Sequence, residues 1–463
     1  MTIKQISIIM LSFMLIVHIA GCSSSAQPEP TSPPTQSESE PLPTPTNEPM
    51  PTNTPEPTAT PVPPTDTPEP PPTNTPEPEP TAIQISDEQA QAEISALMMA
   101  EIPVLPTPES EDGYVMGIEG VIVTPLTTAE GQPPLWAANT FGFINFELEQ
   151  AHQVSIYSHD GETWQMLART ELENLPTMLG EETMTQLVVP SDDIWLAIDS
   201  FTGAHSGCFD VLRFDGQTLH TEHTMCSGNP SAGFITDLNE NGLPEILLNF
   251  SDYYVFCYAC GVVYAQYDVL RWQNDTYESA GFELLDETAD PTVRELNNQA
   301  VTYAEADLWQ DAQVTIQEAL TLDGKNDTII WNNTLIQFYV DDYSHYEEYT
   351  GFPVLTYIFA GKYDEALEQL HPYTPEEIFN LEGPLIVDSP AVGWEEYLSE
   401  WLVTITTPAI EAKPDLAPAY FLRAWGTYLV EPTNPAIIED IQSAAELNPD
   451  EPLYQESLIH FYQ

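Results

Sequence analysis

The chain has 463 residues, with 9 Lys and Arg against 73 Asp and Glu and a formal net charge of −64. A field of that sign repels nucleic-acid phosphates and anionic lipid headgroups, so nucleic-acid binding is excluded. It attracts cations, and it suits a solvated surface outside the cytoplasm.

Lys4 precedes a short apolar run, Ile6 to Ile19, which ends in Ile19-Ala20-Gly21-Cys22 and three serines. The run is short for a bilayer span of about 20 residues, so a cleaved leader is expected over residues 1–21. Its end resembles the lipobox of bacterial lipoproteins, in which small residues admit a peptidase and the cysteine becomes the lipidated N-terminus. The resemblance implies acyl chains on Cys22, export, and anchoring at the cell membrane or outer membrane, facing outside the cytoplasm.

Residues 22–82 follow as a tract of Pro, Thr, Glu, Ser and Asn, as in TPTNEPMPTNTPEPTATPVPPTDTPEPPPTNTPEPEPT. Little here can build a core, and proline removes backbone donors, so a disordered linker is expected. At about 3.1 Å per residue in polyproline II, it reaches on the order of 100 Å or more.

A first folded region is expected over 84–288. Ser86-Asp87-Glu88-Gln89 can cap a helix running to about Ala100, with Ile94, Leu97 and Met98 on one side. Beyond it the apolar period drops towards two. VSIYSHDGETW from Val154, VLRFDGQTL from Val211 and VLRWQNDTY from Val269 each read as strand, tight turn, strand. Their turns carry Asp160-Gly161, Asp215-Gly216 and Asn274-Asp275, residue types that tolerate positive φ. A further apolar strand lies upstream of each, from Leu135, Ile194 and Glu245. The recurrence, about 55 to 58 residues, is in the range of a four-stranded propeller blade. Three blades do not close a ring; either a fourth involves residues 113–134 or the sheets assemble otherwise.

FITDLNENGLPEILLNF, Phe234 to Phe250, resembles the calcium loop of FG-GAP and VCBS repeats of integrin-type propellers. The matching positions are Asp237, Asn239, Asn241 and Glu245, with Gly242 at the sharp turn. The resemblance implies one Ca²⁺ held by hard oxygen ligands. Two Asn stand where the family has Asp, which leaves two carboxylates and a weaker site; a metal-free turn is the alternative. Position twelve is Leu248, so this is not an EF-hand loop.

Four further cysteines, Cys208, Cys226, Cys257 and Cys260, make an even count in an exported chain, expected to form disulfides with three possible connectivities. Zinc held by these with His220 and His223 lacks the paired CxxC…CxxC spacing.

Over 291–463 the apolar period becomes helical. QEALTLDGKN, TPAIEAKPDLAPAY and SAAELNPDEPLY each end a helix and stop at Gly324, Pro414 or Pro449, the last two 35 residues apart. The region resembles tetratricopeptide (TPR) repeats, whose unit is about 34 residues. Leu296, Ala300, Tyr303, Ala312, Ile316 and Ala319 fall at the family's packing positions, as do Tyr357, Gly361, Tyr363, Ala366, Leu367 and Leu370. In the last unit Phe421, Trp425, Tyr428, Ile441 and Ala444 match, while Ile437 replaces a small residue. Asp341 to Tyr349 reads as irregular, and Tyr454 to Tyr462 as a closing helix. The resemblance implies about four units stacked into an α-solenoid with a groove.

The expected fold is therefore multidomain, β then α: a β-repeat domain, propeller-like or a partial propeller, followed by a TPR-like α-solenoid. There is no Gly-x-Ser-x-Gly elbow, His-Glu-x-x-His or phosphate-binding glycine loop. Acidic pairs such as Asp192-Asp193 and Glu395-Glu396 carry little information among 73 acidic residues. The expected function is a non-catalytic, lipid-anchored envelope scaffold that binds a protein or peptide. The alternative is a calcium-dependent carbohydrate-binding or adhesion module in the β region, with an envelope hydrolase behind both.

Overall fold

The computed structural model describes residues 85–102, 117–129, 132–144, 150–172, 178–180, 183–203, 205–229 and 231–463. The expected leader, Cys22 and the Pro-rich linker lie outside the described residues. Among those described, no helix is long and apolar enough to cross a membrane.

Helix α1, Asp87–Glu101, starts where the sequence places it, with the Ser86 hydroxyl accepting from Gln89 N at 3.2 Å. Ala90, Ile94 and Met98, one helical turn apart, are buried against Val121, Trp136, Ala138 and Tyr157. The Gln91 amide completes the fit: it donates to Val121 O at 2.8 Å and accepts from Val123 N at 2.9 Å. Two backbone groups of the edge strand β1, Gly117–Leu126, are satisfied in this way.

The strands form three four-stranded antiparallel meanders. The first is β1, β2 (Leu135–Phe143), β3 (Gln153–His159) and β4 (Trp164–Glu171). After the short β5, Met178–Leu179, the second comprises β6 (Met184–Leu187), β7 (Ile194–Gly203), β8 (Ser206–Phe214) and β9 (Leu219–Ser227). Strand β5 pairs with the ends of β2 and β7 and joins these two meanders into one nine-stranded sheet curled as a half-barrel. The third meander is separate: β10 (Gly233–Thr236), β11 (Glu245–Asn249), β12 (Tyr267–Gln273) and β13 (Thr276–Ser279). Residues 117–126, within the stretch where the sequence leaves room for a fourth blade, are instead the first strand of the first meander.

The three look-alike segments are the hairpins β3–β4, β8–β9 and β12–β13. Two turns are built alike: Asp160 Oδ1 accepts from Glu162 N and Thr163 N, and Asp215 Oδ1 from Gln217 N and Thr218 N, at 2.8 to 2.9 Å. The third uses Asn274 and Asp275, both at positive φ (53° and 62°).

Strand alternation then sets a layered stack. Ile194, Leu196 and Ile198 of β7 pack with Ala137, Val154 and Ile156 of the first meander. Trp195 and Ala197, on the opposite face, pack with Ile246, Leu248, Leu270 and Tyr277 of the third. Here Trp195, Trp272 and Tyr277 meet edge to face, with centroids 5.2 to 5.4 Å apart. The far face of the third meander, Leu247 and Val269, lies on Trp331 and Leu335 of the helix Asp327–Glu347. The order is thus helix, three meanders, helix.

After β13 the chain is helical: α2 (Pro291–Ala304), α3 (Trp309–Leu322), α4 (Asp327–Glu347), α5 (Pro353–Phe359), α6 (Tyr363–Glu368), short α7 and α8 (Pro375–Ile378 and Pro384–Val387), α9 (Glu395–Ala412), α10 (Ala417–Val430), α11 (Ala436–Leu447) and α12 (Pro452–Tyr462). A β region followed by a helical region is what the sequence predicts. Asp341 to Tyr349, expected to be irregular, is helical through Glu347. Buried Tyr343 and part-buried Tyr346 of that stretch pack into the helical core, as does Tyr339 just before it.

Tyrosine hydroxyls join the β11–β12 segment to the helices. Tyr264 donates to Asp307 at 3.0 Å and Tyr267 to Asp342 at 2.9 Å, while Tyr343 and Tyr339 accept from Ala265 N and Tyr267 N at 3.2 Å. Burial raises the Asp307 carboxyl to about 7. Residues Pro78–Gln463 accordingly form one compact unit.

Candidate functional site

The turn between β10 and β11 brings the four predicted calcium ligands together. Asp237 accepts from Asn241 N at 3.0 Å and Gly242 N at 2.7 Å; Asn239 Oδ1 accepts from Asn241 N at 3.1 Å, and Asn241 Oδ1 from Leu243 N at 2.7 Å. Gly242 sits at φ +86°, with open space where a Cβ would stand, so it serves the backbone conformation alone. Glu245 is 1% exposed and accepts from Leu238 N at 2.9 Å and Asn239 Nδ2 at 3.0 Å. Burial raises its carboxyl, helped by Asp237, while the hydrogen bond from Leu238 N and, more weakly, Arg271 oppose the rise.

Each oxygen retains a second lone pair, so the donor set suits a hard cation. Its two carboxylates are few: among the described residues, no three His, Cys, Asp or Glu converge as a metal cluster. A bound ion would replace the Asn239–Glu245 hydrogen bond.

The cysteines pair as Cys208–Cys226 and Cys257–Cys260. The first links facing residues of β8 and β9; the second closes a single 3₁₀ turn, Tyr258–Cys260. Pairing removes the thiolates that zinc or nucleophilic chemistry would use. Asp193, beside a cavity of about 480 Å³ between the first two meanders, accepts from Arg213 at 2.9 Å, and Arg213 also donates to Glu222 at 2.7 Å. That carboxylate is held in an ion pair, and Glu395 accepts from Gly393 N at 3.0 Å.

On the helical side an open groove of about 540 Å³ runs between α9 and α10. Val403 and Val430 supply apolar surface, and Glu396, Glu400 and Glu431 supply negative charge. Val430, the last residue of α10, is 49% exposed. The groove was not predicted residue by residue, because it pairs side chains from two helices about 30 positions apart. No protein-family model matches the sequence, and no curated protein matches it at a significant level.

Proposed function

We propose that this is a lipid-anchored cell-envelope protein, held through acyl chains on Cys22 and spaced by the 22–82 linker, that binds a protein or peptide without catalysing a reaction. The α9–α10 groove is the recognition surface, and its combination of acidic walls and exposed Val430 carries the reading. Consecutive helices joined by short connections and sharing one apolar core support a degenerate TPR-like array. The partner is a segment with Lys or Arg flanking a small apolar side chain.

The test is fluorescence anisotropy of the full chain with a labelled 15-residue Lys/Leu peptide and its Glu-for-Lys counterpart. Micromolar binding of the basic peptide is expected, weakening with salt, with none for the acidic one. Glu400→Lys and Glu431→Lys should each weaken it about two- to fivefold. Equal binding by all variants would rule out the groove.

A second reading has the β region bind calcium, as FG-GAP-like loops do, and act in adhesion. Glu245 favours it: a buried carboxylate closing a turn of oxygen donors is better satisfied by a cation than by an amide.

A further inference from the structure

We infer that a tyrosine-rich rim at one end of the second and third meanders is a binding platform for a neutral polysaccharide. It is a surface separate from the helical groove and from the calcium-type turn.

Three segments meet there. His205, in the β7–β8 turn, lies against Tyr258 with centroids 4.1 Å apart and the rings tilted by 33°. Tyr254 lies 5.5 Å and Tyr253 6.4 Å from the same ring. Gly228, just past β9, lies under Tyr254, whose ring would be 3.7 Å from an added Cβ. Tyr254 and Tyr258 are 46% and 36% exposed.

The rim is held before any ligand arrives. Cys257–Cys260 closes the turn carrying Tyr258, Gly351 N donates to Cys260 O at 2.7 Å, and Tyr253 OH is 3.1 Å from Tyr346 OH on α4. Cys208–Cys226 fixes β8 to β9 at the same end. A fixed platform loses little entropy on binding.

Charge narrows the ligand. In a chain of net charge −64, residues 200–208, 226–235 and 250–267 contain one acidic residue, Asp252, and no Lys or Arg. Asp252 is already used, accepting from Tyr254 N at 2.7 Å and Tyr397 OH at 3.1 Å. The other polar positions are Tyr, Ser, Thr, Asn, Gln and His205, set among Gly and apolar residues such as Phe250 and Val255: rigid amphipathic rings beside small polar groups. Sugar rings present apolar C–H faces to aromatic surfaces and hydroxyls to polar neighbours, without needing charge.

Asn229 gives an independent indication. It is 2% exposed, and neither its Oδ1 nor its Nδ2 has a partner among the described residues. A buried amide with both functions free is rare, and this one lies one residue from Gly228, beneath the rim.

Native affinity electrophoresis of the full chain tests this, in gels holding mannan, xylan or mixed-linkage β-glucan, with polygalacturonate as the anionic control. At least one neutral polymer should retard the protein, and polygalacturonate should not. Tyr254→Ala and Tyr258→Ala should each weaken retardation about tenfold, as hot-spot aromatics do. Tyr258→Phe should keep most of it, which separates ring loss from misfolding. Glu400→Lys should leave it unchanged, so failure here and failure of the peptide groove remain distinguishable. No retardation by any neutral polymer, equal retardation of the alanine variants, or retardation abolished by chelator would each overturn the rim.

Discussion

The meanders and the helical array bury their apolar residues with different periods, and this decides where each can work. The middle meander is apolar on both faces: β7 gives Ile194, Leu196 and Ile198 to one neighbour and Trp195 and Ala197 to the other. Its free surface is confined to edges and turn ends, where the tyrosine rim lies. In the helical region α9 leaves Glu396 and Glu400 exposed beside the last turn of α10, where the groove lies. Sheets in a stack present rims; helices in an array present faces.

The largest effect should come from the layer both sides depend on. Trp195→Ala should cost about 3–5 kcal/mol in denaturant unfolding, because it opens a cavity between two sheets. Trp331→Ala, at the sheet–helix contact, should cost a similar amount and split one calorimetric transition into two. A single unchanged transition would mean that the two regions are coupled by something other than this contact.

The disulfides sharpen the contrast. Cys208–Cys226 spans 18 residues and should contribute about 3 kcal/mol by chain entropy, while Cys257–Cys260 spans 3 and should contribute about 2. Urea midpoints of the paired Cys→Ser variants measure both. Glycan retardation should fall in the Cys257/Cys260 variant while the peptide groove is untouched.

The tyrosine seam should respond to pH. Asp307 holds its proton up to about 7 in the folded chain and releases it near 3.8 when unfolded. The folded state therefore binds more protons across that window, and stability must fall as pH rises from about 4 to about 7. Asp199, raised by burial to about 6, acts in the same direction. Thermal melts at pH 5 and pH 7.5 should show the lower Tm at pH 7.5, and Asp307→Asn should flatten the difference. The smallest effect is calcium. At 10 mM it should raise stability by about 1 kcal/mol if the turn binds at roughly millimolar affinity, and Glu245→Gln should remove the gain.

Local chemistry made much of this fold legible. The Asp160-Gly161 and Asp215-Gly216 turns, the Ser86 cap and the breaks near Gly324, Pro414 and Pro449 each act over a few residues, and the matching elements lie there. The outer strands were harder. β6 and β10 have four residues each, too short for alternation to register, and β1 contains Pro125, which edge strands tolerate. The helical course of Asp341 to Glu347 was hidden because its tyrosines pack against a distant segment, so no local period marks them. The calcium-type residues were legible as a motif, but the hydrogen bonds that close their turn were not. Groove and rim both required side chains brought together by tertiary packing.

Hydrogen–deuterium exchange of the full chain with and without saturating basic peptide bears most directly on the groove. Protection should concentrate in α9 and α10 and leave residues 117–279 unchanged. Protection confined to the meanders, or none anywhere at saturation, would contradict it.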